Sequence, residues 1–171
     1  MIVLMAGLPG TGKSTLAREL ALQTNGRIIG KDELRNALFA ADEIEYSTRQ
    51  DDFCMQIMLQ LAGFFLGRLS NQTIFLDGRT FSQRYQIENV KNTAAELHQR
   101  WRIIECVCSP EVAKQRLEKQ LTAASHPARN RDFQLYLEVC SRFEAIDPPK
   151  ITIDTDKALP ACVEQALAAL R

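Results

Sequence analysis

Eight consecutive residues near the start of the chain have the types and spacing of a phosphate-binding loop. The stretch from Gly7 to Ser14 reads Gly-Leu-Pro-Gly-Thr-Gly-Lys-Ser, which fits the pattern G-x-x-x-x-G-K-[ST] at every position. Glycines in such a loop let backbone N–H groups turn toward phosphate oxygens, where a Cβ atom would obstruct them. The sequence therefore predicts a site for the phosphates of a nucleotide.

Two side chains of this loop carry the expected chemistry. The Lys13 ammonium can reach the β- and γ-phosphates, and the Ser14 hydroxyl can ligate Mg²⁺. An apolar strand over Ile2–Ala6 enters the loop and a helix over about residues 13–23 leaves it, so the helix N-terminus adds unpaired N–H donors. We therefore expect ATP as co-substrate and Mg²⁺ as cofactor. The predicted ATP-binding residues are Gly7, Leu8, Pro9, Gly10, Thr11, Gly12, Lys13, Ser14 and Thr15.

The loop alone is compatible with a kinase, a GTPase or an ATP-driven motor. A GTPase usually carries an N-K-x-D motif that reads the base, and the sequence contains none. A motor is typically longer and closes its third strand with an acidic pair, whereas Phe75-Leu76-Asp77-Gly78 holds a single carboxylate. With 171 residues and a charged, irregular stretch over residues 122–132, the chain fits a small phosphotransferase with a lid.

Strand and helix patterns alternate along the chain. Five strands are predicted from short β-branched or apolar runs, over residues 2–6, 27–30, 73–77, 102–108 and 150–154. Helices are predicted from amphipathic or apolar segments, over residues 55–69, 83–99 and 161–170. Alternation of this kind indicates an α/β fold, with a parallel sheet between two layers of helices.

Charge and composition exclude several other classes of protein. The 21 Lys and Arg residues balance 21 Asp and Glu residues, so no global charge draws the chain onto a long nucleic acid or an anionic membrane. No apolar stretch is long enough to span a membrane, and no basic leader opens the chain. The five cysteines lack metal or redox spacing. We expect a cytoplasmic protein with no membrane partner.

Four stretches carry a family resemblance: residues 7–15, 28–35, 74–78, and the segment from Arg116 through His126-Pro127-Ala128-Arg129. They resemble the P-loop kinases grouped with polynucleotide 5′-kinase, chloramphenicol phosphotransferase, adenylylsulfate kinase and zeta toxins. More closely, the chain is similar to short bacterial AAA-type ATP-binding proteins that are predicted kinases. The resemblance implies one P-loop NTPase domain over residues 1–171, a five-stranded parallel sheet in the nucleoside-monophosphate-kinase order 2-3-1-4-5, and a lid over about residues 116–132.

In the polynucleotide-kinase-like group, a D-x-x-R motif after the second strand supplies a carboxylate base and an arginine that contacts the acceptor. Asp32 and Arg35 match that spacing. Positions three apart on an opening helix share a face, so both side chains can point into one cleft at the carboxyl ends of the strands. The resemblance implies that Asp32 is the base and that both residues bind the acceptor. Alternatively, Asp32 is a helix N-cap and Arg35 a solvated surface residue.

Asp77 closes the apolar strand before Gly78, at the edge of the sheet where the phosphate loop sits. Its carboxylate could hold Mg²⁺ together with Ser14, or contact the acceptor. The alternative is a turn that Asp77 begins with Gly78. Arg79 follows and is predicted to line the acceptor side, as is the later Arg84, with a surface salt bridge as the alternative for each.

Basic residues cluster in the predicted lid. Arginines that close over the γ-phosphate offset the charge spread over its oxygens, and the resemblance implies that Arg116 lies at the base of the lid, near adenine or phosphate. Many relatives have a second arginine four residues later, where this chain has Gln120 with Lys119 beside it. Arg129 and Arg131 are therefore candidates by position. A charge run on a solvated helix face is the alternative.

Together these patterns predict an ATP-dependent kinase that transfers the γ-phosphoryl group to a hydroxyl of a small molecule. Two alternatives remain open: a polynucleotide or zeta-toxin-like kinase, and a nucleotide-binding regulatory protein that hydrolyses ATP slowly. The residues that select the acceptor are predicted to lie within residues 39–53 and 77–85. The predicted catalytic residues are Lys13, Asp32, Arg116 and Arg129.

Overall fold

The structure is a computed structural model that describes residues 1–68, 72–123 and 132–171. The strands are β1 (Ile2–Ala6), β2 (Arg27–Gly30), β3 (Ile74–Asp77), β4 (Trp101–Val107) and β5 (Ile151–Asp154). The helices are α1 (Lys13–Thr24), α2 (Lys31–Leu38), α3 (Thr48–Arg68), α4 (Arg84–Glu96), α5 (Pro110–Ala123), α6 (Phe133–Ser141) and α7 (Leu159–Leu170). All strand pairs are parallel, in the order β2-β3-β1-β4-β5, which confirms the predicted fold class and strand order.

The central strand, β1, is buried along its whole length. Successive side chains of a strand point to opposite faces of the sheet. Ile2 and Leu4 belong to one apolar cluster, which α3 and α4 cover, and Val3 and Met5 belong to a second cluster, which α1 and α7 cover. A strand with helices on both of its faces must be apolar on both, and this explains the unbroken hydrophobic run.

The parallel register brings the carboxyl ends of three strands to one edge of the sheet. Leu4 of β1 pairs with Leu76 of β3, and Gly30 of β2 pairs with Asp77 at the end of β3. The phosphate loop, α2 and the segment after Asp77 therefore start side by side. Ligands of open α/β sheets bind at this carboxyl edge.

The longest helix, α3, begins at Thr48, well before the predicted start at residue 55. Its first turns bury polar groups: the Gln50 side chain accepts from the Glu45 N–H and donates to the Glu43 carbonyl. Such turns have no apolar stripe, so hydrophobic periodicity does not reveal them. Neither α3 nor any other helix in the described ranges is long and apolar enough to cross a membrane.

The predicted lid lies only partly within the described residues. α5 ends at Ala123, and α6 begins at Phe133 with Asp132 as its N-cap, whose carboxylate accepts from the Leu135 N–H at 2.7 Å. Arg129, Arg131 and most of the stretch 122–132 lie outside the described residues.

Helix α5 packs directly on the phosphate loop. Gly10 has a φ of +80°, and a Cβ atom there would lie 2.9 Å from the Ala113 carbonyl oxygen and 3.1 Å from Leu117 Cγ. Gly12 has nearly the same backbone angle, φ +79°, but the nearest atoms that its Cβ would meet are 3.6 Å away. Gly10 is therefore constrained both by its backbone angle and by its neighbours, and Gly12 by its angle alone.

Gly10→Ala is expected to destabilise the protein more than Gly12→Ala. Both changes place alanine in a left-handed backbone, which costs about 1–2 kcal/mol. Gly10→Ala also forces a Cβ against the backbone of α5, which adds about 1–3 kcal/mol of packing strain. Urea unfolding of the two variants without nucleotide measures the difference. Equal free energies of unfolding would contradict the close packing of α5 on the loop.

Candidate active site

A cavity of about 450 Å³ lies at the carboxyl edge of the sheet. Its walls are formed by the phosphate loop, α2, the start of α3, the segment after β3, the start of α4, and α6. Both segments predicted to select the acceptor reach the cavity, the first through Tyr46 and the second through Thr80. Of the predicted site residues, the cavity brings together Pro9, Lys13, Ser14, Asp32, Arg35 and Arg79.

The phosphate loop encloses its own lysine. Lys13 Nζ donates to the carbonyl oxygens of Gly7 and Leu8, at 2.8 and 2.7 Å. The Thr11 hydroxyl donates to the same Leu8 carbonyl at 2.8 Å. Thr15, the last predicted ATP-binding residue, is exposed on α1. The Lys13 ammonium is thus buried within the loop, at the wall of the cavity.

Arg116 ties the phosphate loop to the segment after β5. Its guanidinium donates to the Thr155 carbonyl at 2.7 Å, to the Thr155 hydroxyl at 3.0 Å and to the Gly10 carbonyl at 3.4 Å. The Thr155 hydroxyl also lies 3.0 Å from the Thr11 carbonyl oxygen. Arg116 is therefore not a solvated surface residue, and it lies on the β4–β5 side of the loop, away from α2.

Asp32 and Arg35 point into one cleft, as their spacing predicts. The N-cap of α2 is Gly30, and no side chain caps this helix. Asp32 is 6% exposed, and its Oδ1 accepts a hydrogen bond from Arg35 Nη1 at 3.1 Å. Arg35 is 1% exposed. The alternative of a capping Asp32 beside a solvated Arg35 is therefore wrong.

A lysine and a second carboxylate complete a buried ion network. Lys31 Nζ lies 2.6 Å from Asp51 Oδ1 and 3.4 Å from Asp32 Oδ1. Arg35 Nη2 donates to the same Asp51 oxygen. Two cations and two carboxylates therefore alternate along the wall of the cavity. Neither Lys31 nor Asp51 was predicted as a site residue, because in the sequence each is only a charged residue in the first turn of a helix.

The pKa of Lys31 is strongly perturbed. Burial lowers it from its ordinary value to about 8, although the neighbouring Asp32 carboxylate acts in the opposite direction. The positive charges of Arg35 and Arg79 lower this pKa further. Withdrawing the ammonium from water therefore outweighs its pairing with carboxylates.

Asp77 is buried where β3 ends. Its Oδ1 has no hydrogen-bond partner among the described residues. Gly78 follows with a φ of +90°, so the predicted turn is present as well. Buried carboxylate oxygens normally accept hydrogen bonds, so this oxygen is available to a cation, a water molecule or a ligand.

Arg79 lines the cavity with its side chain 5% exposed. Its Nη2 donates to Asp52 Oδ1 at 2.6 Å and lies 3.3 Å from the Tyr85 hydroxyl. Arg79 thus forms a salt bridge, as the alternative predicts, but its own side chain is buried and faces the cavity rather than the solvent. Arg84, in contrast, has a side chain that is 72% exposed.

Another part of the cavity wall is apolar. Leu135 and Val139 of α6 line it, with Arg142 just beyond the helix. The segment after α6 is held to the segment after β3, where the Glu144 N–H donates to the Ser82 carbonyl at 2.9 Å. This part of the wall could not be predicted from the sequence, because it joins segments that are distant in sequence.

Replacing Lys31 by Met should remove a pH-dependent part of the stability. The folded protein releases the Lys31 proton near pH 8, whereas the unfolded chain holds it up to about pH 10.5. Between these values the unfolded state binds more protons, so the contribution of Lys31 to the free energy of unfolding rises with pH. We expect the free energy of unfolding of the parent protein, minus that of Lys31→Met, to increase between pH 8 and 10, by at most about 1.4 kcal/mol per pH unit.

Urea unfolding at pH 7, 8, 9 and 10 measures this difference. Lys119→Met is the matched control, because it removes a lysine that is exposed on α5 and lies outside the buried ion network. A difference for Lys31→Met that does not vary with pH would contradict the lowered pKa.

Three solved structures share this fold over nearly the whole chain. A provisionally assigned kinase from Chloroflexus aurantiacus J-10-fl has a TM-score of 0.75 at 22% identity, covering 99% of this chain and 98% of that one. A sugar kinase from Janibacter sp. HTCC2649 has a TM-score of 0.72 at 18% identity, covering 99% and 93%. The APS kinase CysC of Mycobacterium tuberculosis, in complex with AMPPNP and APS, has a TM-score of 0.71 at 15% identity, covering 99% and 96%.

These structural likenesses establish the fold, which is that of P-loop kinases. Among curated proteins, a sequence search found no match. The AAA domain family (AAA_33) matches residues 2–143, which span the phosphate loop, α2, the end of β3 and Arg116. Since this match covers most of the 171 residues, the chain belongs to the AAA domain family.

Proposed function

We propose that the protein is an ATP-dependent kinase that transfers the γ-phosphoryl group of ATP to a hydroxyl of a small-molecule acceptor. The observation that carries the proposal is the composition of one cavity. Lys13 and Ser14 of the phosphate loop line one wall, and Asp32 and Arg35 line another. A phosphoryl donor and a hydroxyl acceptor could therefore meet in the same enclosed space. The structural neighbours include a sugar kinase and an APS kinase, which supports the same class of reaction.

On the donor side, the loop would hold the β- and γ-phosphates. Lys13 Nζ, which now donates to two loop carbonyls, would turn toward the phosphate oxygens when ATP binds. Arg116 would act from the other side, because its contact with the Gly10 carbonyl places a fixed positive charge beside the loop. Arg129 stays a prediction from the sequence, since it lies outside the described residues.

The residues fit the Mg²⁺ ion that this class of reaction uses. Mg²⁺ prefers oxygen ligands, often one or two carboxylates together with water and phosphate. Asp77 offers a buried Oδ1 without a hydrogen-bond partner among the described residues, and Ser14 offers a hydroxyl at the start of α1. Asp77 and Ser14 would hold the ion, which supplies positive charge to the transferring phosphoryl group.

On the acceptor side, Asp32 would orient the acceptor hydroxyl and take its proton. Geometry favours Asp32 over Asp77, because Asp32 lines the cavity on α2 whereas Asp77 ends β3, the strand beside β1. Arg35 and Lys31 hold Asp32 Oδ1, so the carboxylate has a fixed orientation. Arg35 and Arg79 would contact polar groups of the acceptor from the same walls.

The enclosure favours a small acceptor over a polymer. Leu135 and Val139 of α6 add an apolar part to the wall, and a cavity of about 450 Å³ is within the usual range for small-molecule sites. An acceptor screen would distinguish this proposal from its two alternatives. These are a polynucleotide or zeta-toxin-like kinase and a regulatory protein that hydrolyses ATP slowly. We also propose that residues 1–171 form one domain and that the protein is cytoplasmic.

Lys13→Ala should abolish most of the acceptor-dependent ADP release. The loss of a charge that stabilises the transferring phosphoryl group is expected to lower kcat by about 10²-fold or more. A screen of sugars, nucleosides, antibiotics and 5′-hydroxyl oligonucleotides supplies the acceptor. Arg18→Ala, an exposed change on α1, is the control and should behave as the parent protein. Circular dichroism verifies that both variants are folded. Full activity of Lys13→Ala would contradict the role of the loop.

Asp32→Asn and Asp77→Asn should affect different steps. Asparagine keeps the size of the side chain but cannot accept the proton, so Asp32→Asn should lower kcat by about 10²-fold or more, with little change in ATP binding. Asp77→Asn should instead raise the Mg²⁺ concentration needed for half-maximal rate. Mg²⁺ titrations at saturating ATP and acceptor separate the two effects. If Asp32→Asn turns over normally and Asp77→Asn stays inactive at saturating Mg²⁺, the two roles are reversed.

A further inference from the structure

A second cavity, of about 370 Å³, adjoins the acceptor side of the first. It lies between α3 and α4, and we call it the α3–α4 groove. Arg79 and Gln86 line both cavities and thus form the wall that they share. A ligand that passes these two side chains would occupy both spaces at once.

The groove is formed by one stripe from each helix. On α3 its lining residues are Asp52, Met55, Gln56 and Leu59, and on α4 they include Gln86, Asn89, Val90 and Thr93. Both sets follow offsets of 0, 3, 4 and 7, which is one face of a helix. The apolar members are buried and form a floor, while Gln56, Asn89 and Asn92 are exposed along the opening.

The shared wall holds two buried polar atoms that lack a partner. Arg79 Nε and Gln86 Oε1 have no hydrogen-bond partner among the described residues. The two side chains belong to residues that are 5% and 8% exposed. Leaving a buried donor or acceptor unsatisfied costs about 1–3 kcal/mol, so a ligand that supplies an acceptor to Arg79 and a donor to Gln86 would be favoured here.

The chemistry of the groove indicates the type of ligand. The charged residues that line it, within the described ranges, are Arg79 and Asp52, and they pair with each other at 2.6 Å. The other polar groups are amides and one hydroxyl, which offer donors and acceptors together, as the hydroxyls of a sugar do. The apolar floor suits the C–H face of a ring. A neutral, polyhydroxylated ring fits this combination.

We propose that the α3–α4 groove is a second subsite for the acceptor and that the acceptor is a glycoside of two rings. One ring presents the hydroxyl to Asp32, the neutral second ring lies in the groove, and Arg79 and Gln86 bind the linkage between them. This inference rests on the proposed kinase function, because it assigns the acceptor of the same site.

The test compares two-ring sugars with their one-ring fragments: maltose with glucose, lactose with galactose, and chitobiose with N-acetylglucosamine. Acceptor-dependent ADP release is measured for the parent protein, for Asn89→Trp and for Ala95→Trp. Asn89→Trp fills the groove from an exposed position of α4, and Ala95→Trp is the matched control at an exposed position of α4 outside the groove lining. We expect at least one two-ring sugar to have a KM roughly tenfold lower than its fragment, the scale of one or two added hydrogen bonds. Asn89→Trp should remove this advantage and leave the KM of the fragment and of ATP unchanged.

A binding experiment separates this inference from the kinase proposal. Side-chain amide signals of Gln86, Asn89 and Asn92 are followed by NMR in the ¹⁵N-labelled protein with ADP and Mg²⁺, while the same sugars are added. Shifts of these signals by a two-ring sugar without any ADP release would show that the groove binds the sugar, and would contradict the kinase proposal on which the acceptor role rests. Phosphorylation of a one-ring sugar, with no shift by its two-ring partner, would overturn the subsite and leave the kinase standing. If no sugar binds or is phosphorylated, or if Asn89→Trp affects both rings equally, the glycoside assignment is wrong.

Discussion

Everything at the candidate site depends on the parallel pairing of β1 with its neighbours. Because β3 separates β1 from β2, and Gly30 is in register with Asp77, the ends of these strands form a short row at one edge. The phosphate loop, the Asp77 carboxylate and α2 extend from that row. On the other side, β4 and β5 bring Thr155 against the loop, where it meets Arg116. A different strand order would keep the same elements but would separate the two halves of the site.

The acceptor half of the site is built from charges that are largely withdrawn from water. Lys31, Asp32 and Arg35 are each less than one-tenth exposed, and Asp51 completes the alternation of charge. A buried ion pair is weakly stabilising at best, because the loss of hydration offsets most of the attraction. The apolar clusters on both faces of the sheet therefore supply the stability that this arrangement lacks. The effect of the ion network is to fix the orientation of the Asp32 carboxylate.

The five strands could be predicted from the sequence because each contains a short apolar or β-branched run, whereas α5 and α6 were not predicted as helices. The phosphate loop could also be predicted, because its chemistry requires particular residues at a fixed local spacing. The start of α3 was missed because Gln50 and Asp51 replace an apolar stripe with hydrogen bonds and ion pairs. The partners of Arg35 and Arg79 on α3, and the apolar wall from α6, depend on contacts between distant segments. No local pattern encodes those contacts, so they required the folded structure.

The buried ion network also gives the two halves of the molecule a different response to temperature. Hydration of charged groups becomes less favourable on warming, so the penalty for enclosing Lys31, Asp32 and Arg35 falls as temperature rises. The attraction between these groups changes little over the same range. The alignment of Asp32 is therefore held more firmly, relative to the rest of the fold, in warm solution than in cold. On warming, the acceptor wall therefore becomes less costly to bury, while the stabilisation from the apolar layers around it levels off.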